Sequence, residues 1–194
     1  MTRKPVARVR AQKWTPYLQP LQMGDATEEQ LAAMQVSPSS TGVSPYVRTL
    51  AHDPESYVAR TTLFNAIMYA EGGLDRKDRE LGALIASIVN HCVYCASVHA
   101  RRFVQLGGDE EIISTLYLEG LAATQKLAPR NRALIKFCEA LSRTPIAVTP
   151  AHISAMTDQG FSKEEIIDLM HAAAIFGWAN RLMHPLGAST PKAG

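Results

Sequence analysis

Apolar residues recur at helical spacing along most of this chain, and glycine, proline and short polar clusters mark the breaks between the periodic runs. From Ser44 onward the helical pattern is almost continuous. Asp53-Pro54 reads as an N-cap followed by proline in the first turn, predicting a helix to about Ala70 that Gly72-Gly73 ends. A second helix is predicted over residues 75–90, with Leu81, Leu84, Ile85, Ile88 and Val89 on its apolar stripe. A third begins near His91 or Cys92 and runs to Leu106, where Gly107-Gly108 stops it. Residues 109–119, 129–142, 149–159 and 162–185 supply the remaining helices. No segment shows convincing strand alternation, so the predicted fold class is all-α.

Residues 1–43 read differently. They are rich in Pro, Gln, Ser and Thr, with one short helical candidate at 27–35, opened by the capping-box pattern Thr27-Glu28-Glu29-Gln30 and broken by the run 37–42. The expected division is therefore a partly irregular N-terminal arm, residues 1–43, and a helical domain, residues 44–194. Within that domain the chain repeats itself weakly. At an offset of 53, Leu74, Lys77, Arg79, Leu81 and His99 fall on Leu127, Arg130, Arg132, Leu134 and His152. With one gap, residues 110–113 (Glu-Glu-Ile-Ile) fall on 164–167. Glu80, Cys92 and Cys95 fall instead on Ala133, Pro145 and Val148. On this pattern one copy keeps the chemistry and the other serves packing.

Composition narrows the class without naming a function. A chain of 194 residues with 46% hydrophobic and 20% charged residues is ordinary for a soluble globular protein, and a formal net charge of +2 lends no support to a nucleic-acid role. Arg3, Lys4, Arg8, Arg10 and Lys13 crowd the start with no acid before Asp25, which reads as a solvated arm. No apolar run is long enough for a membrane span, and Trp14-Thr15-Pro16 interrupts the start of the chain, so neither a membrane partner nor a signal peptide is expected. Three cysteines, two of them in one Cys-x2-Cys, do not make a disulfide framework and fit a reducing, cytoplasmic setting.

The candidate chemistry lies in Glu80, then Cys92-Val93-Tyr94-Cys95, then His99. On a helix Cys92, Cys95 and His99 stand at i, i+3 and i+7 and share one face. A straight helix would put Glu80 about 18 Å from Cys92, so the chain must turn near Asn90-His91, and an antiparallel hairpin there returns His99 to the level of Glu80. A thiol at a helix N-terminus has its anion favoured by the free N–H groups. Cys95, four residues before His99, is the thiol better placed to lose a proton to imidazole, with Glu80 orienting His99 or taking the proton through water. Zinc is the rival occupant, since two cysteines and a histidine are three ligands, but no second Cys-x2-Cys or His pair accompanies them. Cys138 and the scattered His52, His152, His171 and His184 read as structural or surface residues, and no nucleotide signature is visible.

These residues resemble the alkylhydroperoxidase D-like enzymes of the carboxymuconolactone decarboxylase superfamily, in particular the peroxidase-related subgroup. The likeness is carried by residues 73–80 (Gly-Leu-Asp-Arg-Lys-Asp-Arg-Glu) and 90–99 (Asn-His-Cys-Val-Tyr-Cys-Ala-Ser-Val-His), and continues through Arg132-Ala133-Leu134, Gly160-Phe161-Ser162 and Ala179-Asn180-Arg181-Leu182. It implies an all-helical thiol peroxidase without cofactor or metal, acting on hydrogen peroxide or small organic hydroperoxides. Glu80, His99 and the cysteine pair would form the proton relay, with Cys95 as the attacking thiol and Cys92 as the one that closes the disulfide. An external dithiol, from a lipoyl or thioredoxin-like protein, would reset the pair, and a dimer or hexamer is expected. Where founding members place a histidine between the cysteines, this chain has Tyr94. A redox sensor, a disulfide exchanger or a decarboxylase-like enzyme on another substrate are the alternatives.

Overall fold

The computed structural model describes residues 11–34 and 42–190. The basic residues Arg3, Lys4, Arg8 and Arg10, and the breaker residues 37–41, lie outside the described residues. Among those described, the elements in chain order are strand β1 (Lys13–Pro16), helices α1 (Glu28–Met34), α2 (Pro45–Leu50), α3 (Pro54–Met68), α4 (Arg76–Val89), α5 (Val93–Gln105) and α6 (Glu110–Leu118), then a 3-10 turn (Leu121–Lys126). Helices α7 (Pro129–Ser142), α8 (Pro150–Asp158) and α9 (Lys163–Leu186) follow, and strand β2 (Gly187–Thr190) comes last. The fold is all-helical apart from one two-stranded sheet, and none of the described helices is long and apolar enough to cross a membrane.

Local rules account for most helix starts. The Asp53 carboxylate accepts from Ser56 N–H at 3.2 Å ahead of Pro54, and Thr27 and Gln30 satisfy each other's backbone N–H at the head of α1. Ser162 and Glu165 do the same for α9. His152, four residues into the α8 segment counted from Thr149, accepts the Thr149 N–H at 3.1 Å, so this histidine is a cap.

Helix α4 is the axis of the molecule. It packs on α5, α7 and α9, and an unbroken run of its residues from Asp78 to Ser87 is buried. Leu81, Leu84 and Ile85 meet Leu134, Ile135 and Phe137 of α7 and Leu169 and Ala172 of α9 in one core. Gly82 lets α9 approach, since a Cβ there would stand 2.9 Å from a Leu169 methyl. The helices at offset 53, α4 and α7, have the same length of 14 residues, as a degenerate repeat requires.

The sheet is the departure from the sequence expectation of no strand. β1 pairs antiparallel with β2, Lys13 opposite Thr190 and Trp14 opposite Ser189, joining the two ends of the described chain. Four residues each, and a β2 made of Gly187-Ala188-Ser189-Thr190, leave no apolar alternation to read. The pairing also bears on the expected arm. Trp14 is buried rather than solvated, so this part of the segment contributes to the helical body.

Candidate active site

The α4–α5 hairpin builds the site. Its turn closes through Cys92 N–H to Ser87 O at 2.8 Å and His91 N–H to Ile88 O at 3.0 Å. His91 sits at φ 57°, in the left-handed region that histidine enters more readily than most residues. The reversal stands His99, the seventh residue of α5, beside Glu80, and His99 Nδ1 lies 2.6 Å from Glu80 Oε2. Both are buried, and the edge of Phe176 packs on the imidazole with ring centroids 4.1 Å apart.

Arg76, one turn before Glu80, donates Nε to the other carboxylate oxygen at 3.1 Å and Nη2 to the same atom, while its guanidinium lies over the Tyr69 ring at 3.9 Å. Burial alone would raise the Glu80 pKa. The charge and hydrogen bond of His99, with those of Arg76, outweigh it and hold the carboxyl below its ordinary value. Glu80 is therefore an anion fixed between a guanidinium and an imidazole.

The dithiol occupies the start of α5. Cys92 is the N-cap and Cys95 the third helical residue; both are reduced and buried, with their sulfurs 2.8 Å apart and sharing a hydrogen bond. That bond from Cys95 brings Cys92 down to about 7, against the upward pull of burial and with help from the Cys95 backbone N–H and the charge of His184. The same bond, then burial, then the charge of Cys92 push Cys95 up. The pair thus gives up its first proton easily and its second with difficulty. Cys138, wholly buried under α4, is pushed up by burial and belongs to the core.

The sulfurs sit in an apolar cluster with Trp14 and Met183, against which Tyr46, Tyr94 and Leu186 pack. A cleft of about 280 Å³ opens beside them, lined by Trp14, Cys92, Val93, Tyr94, Met183 and Gly187 among others; Cys95 is not in its lining. His184 fixes the hairpin from α9 through Nε2 to Asn90 O at 2.9 Å.

All four residues expected from the sequence are therefore found in two joined pairs, Glu80 with His99 and Cys92 with Cys95. Among the described residues the hydrogen bond of His99 runs to Glu80 and not to either sulfur, and no group of three or more His, Cys, Asp or Glu side chains is arranged to hold a metal ion. Arg76, Trp14, Met183, His184 and Phe176 were not anticipated. Arg76 had a signal in its i,i+4 spacing to Glu80; Trp14 had none, because it arrives through a strand pairing with Ser189 near the other end of the described chain.

The carboxymuconolactone decarboxylase family model matches residues 54–119, the stretch that holds Glu80, Cys92, Cys95 and His99. Sestrin-2 from Bos taurus is 25% identical over 160 residues, which is 82% of this chain and 32% of that protein. Sestrin-2 from Homo sapiens is 24% identical with the same coverage. The chain thus spans about a third of the length of these curated relatives. Among solved structures, an uncharacterized peroxidase-related protein from Silicibacter sp. TM1040 superposes with a TM-score of 0.70 at 24% identity, covering 86% of each chain. An alkylhydroperoxidase AhpD core protein, peroxidase-related, from Ralstonia eutropha JMP134 gives 0.68 at 24% identity over 98% of this chain and 92% of that one. The debrominase Bmp8 gives 0.67 at 23% identity over 85% of this chain and 87% of its own. These superpositions establish a shared helical fold.

Proposed function

We propose that this chain, whose residues 54–119 match the carboxymuconolactone decarboxylase family model, is a thiol-dependent peroxidase reducing hydrogen peroxide or small organic hydroperoxides. The observation that carries the reading is a reduced, proton-sharing dithiol on the same buried hairpin as an ionised Glu80 paired to His99. That set supplies a nucleophile, a second thiol to trap the oxidised sulfur, and a base with a fixed counter-charge.

The thiolate is the nucleophile, and three features favour placing it on Cys92: its N-cap position, its lowered pKa and its place in the cleft wall. The Cys92 sulfur attacks one peroxide oxygen, the O–O bond breaks, and Cys92 becomes a sulfenic acid while the other oxygen leaves as alkoxide or hydroxide and takes up a proton. Sulfur loses two electrons and the peroxide gains them. The charge and hydrogen bond of the Cys92 anion that held Cys95 protonated are then gone. Cys95 passes its proton towards His99, one helical turn along, and attacks Cys92; an S–S bond forms, the S–O bond breaks and water leaves. An external dithiol returns two electrons and two protons.

This order reverses the roles that the family resemblance assigns, where Cys95 attacks and Cys92 closes. Single variants separate the two. Cys95→Ser should consume one equivalent of peroxide and stop at a sulfenic acid, and Cys92→Ser should be silent; the opposite pattern supports the family's order. The enzyme itself is tested by steady-state peroxide consumption driven by a dithiol. Repeated turnover supports a peroxidase, whereas a single oxidation without turnover supports a redox sensor. Because a debrominase that has been solved with 2,3,4-tribromopyrrole shares the fold, the substrate survey sets a brominated pyrrole beside the hydroperoxides.

A further inference from the structure

Both sulfurs lie under a roof made by the two strands. β1 lays Trp14 against Cys92, Cys95 and Met183, with the indole 7% exposed and its ring edge-on to Tyr46 at 5.4 Å. The roof is fastened by the β1–β2 pairing, by Tyr17 N–H to Leu186 O at 2.8 Å, and by Gln12 N–H to Ser97 Oγ at 2.9 Å, two residues past Cys95 on α5. Strand contact at Gly187 is tight. A Cβ there would stand 2.4 Å from Trp14 Cε2 and Cζ2 and 2.6 Å from Thr15 O, and since Gly187 has extended backbone the requirement for glycine is purely one of space.

The fastening is shallow for a seal over reactive groups. A sheet of two four-residue strands is marginal by itself. Trp14 Nε1, Tyr46 Oη and Ser189 Oγ are buried in or beside the roof without a hydrogen-bond partner. Buried polar atoms left in this state favour any opening that returns them to water. The roof is thus only weakly held against opening.

The cleft that remains with the roof closed holds about 280 Å³, with Trp14, Tyr17, Gly187, Ala188 and Ser189 forming its strand-side wall and Cys92 and Val93 facing them. That is just under the range of roughly 300–1,000 Å³ found for pockets that take drug-sized ligands. A peroxide of a few heavy atoms fits in it beside Cys92. A dithiol carried on a protein does not.

We propose that Trp14 and the β1–β2 strap form a size gate over the dithiol, admitting small oxidants through the closed cleft and admitting a bulky thiol reductant only when the strap lifts. The inference rests on the reading of Cys92 and Cys95 as the reactive centre, but it does not require the oxidant to be a peroxide. Trp14 is a gating residue and takes no part in bond making.

The test uses the reduced 194-residue chain and two probes of different size, iodoacetamide and a fluorescein maleimide, with the labelling of Cys92 followed by peptide mass mapping. Trp14→Ala, which removes the plug, and Gly187→Ala, which wedges the strands apart and keeps the indole, should each raise the maleimide rate about tenfold or more while the iodoacetamide rate changes less than about twofold. Trp14→Phe, which keeps a ring in the plug, should stay within about threefold of the parent for both reagents. Equal acceleration of both reagents in the two opening variants would mean general loosening and would overturn the gate; so would no change in either. Peroxide consumption is measured in parallel: size-selective labelling in a chain that consumes no hydroperoxide keeps the gate and removes the peroxidase reading.

Discussion

The Cys92 thiol is made more acidic by where it sits, at the head of α5 and sharing a hydrogen bond with the Cys95 thiol. The rate of Cys92 alkylation by iodoacetamide is therefore expected to rise with pH through a midpoint of about 7, a value that belongs to the coupled pair. Cys95→Ala removes the donor and should move the midpoint up towards the ordinary thiol value of about 8.5, while Cys95→Ser keeps a donor and should move it less. A midpoint unmoved by Cys95→Ala would show that the helix terminus alone sets it. In the proposed mechanism Glu80 and His99 handle the proton, so Glu80→Gln and His99→Gln should each slow disulfide closure about 10²-fold, the usual size of a general acid–base contribution, with helical content unchanged by circular dichroism. Glu80 also carries a pH signature in stability. Its folded pKa is depressed, so its contribution is present above the unfolded carboxylate value and is lost as pH falls through the folded one. The difference in urea midpoint between parent and Glu80→Gln should accordingly be largest near neutrality and shrink in acid. These four residues were legible in the sequence because Cys92, Cys95 and His99 share a helix face and a forced turn brings Glu80 back. The proposed order of the two thiols rests on the cleft beside Cys92, which tertiary contacts build and residue spacing does not show.

Among the elements, the loop between α3 and α4 is held by one buried guanidinium. Arg79 donates to the carbonyls of Ile67, Ala70 and Gly72 at 2.9, 3.1 and 2.8 Å and to Asp168 Oδ2 of α9 at 3.0 Å, while the same carboxylate oxygen accepts Leu74 N–H at 2.9 Å. This staple sets the start of α4, and with it Arg76 and Glu80. Arg79→Leu should cost about 1–3 kcal/mol in urea unfolding, because it leaves the carbonyls of Ile67, Ala70 and Gly72 without this donor and Asp168 with the Leu74 N–H alone. Gly73→Ala should be destabilising for a different reason: φ is +60° there, and a Cβ would fall 2.1 Å from Asp168 Oδ2. A Gly73→Ala protein as stable as its parent would show that the staple is dispensable. Helix boundaries were readable because caps such as Asp53-Pro54 and Ser162 with Glu165 are local. The strands were not, because Trp14 meets Ser189 across nearly the whole chain and a Gly-Ala-Ser-Thr strand has no apolar rhythm to detect.

At the scale of the whole molecule, Ile146 and Trp178, 67% and 45% exposed, flank a groove of about 590 Å³ between α9 and the segment after α7. Apolar surface of this kind together with the family resemblance leads us to expect an oligomer. Light scattering at micromolar concentration should give a multiple of the 21.2 kDa chain mass, and a clean single-chain mass would contradict that expectation. The central claim concerns the dithiol, and one measurement reaches it most directly. Fully reduced protein is mixed with hydrogen peroxide or a small organic hydroperoxide in a stopped-flow instrument, the peroxide consumed is quantified, and the thiols are counted and mapped. One equivalent of peroxide should disappear, two of the three thiols should be lost to a Cys92–Cys95 disulfide, and Cys138 should stay free. Peroxide left unconsumed with all three thiols intact would contradict the account.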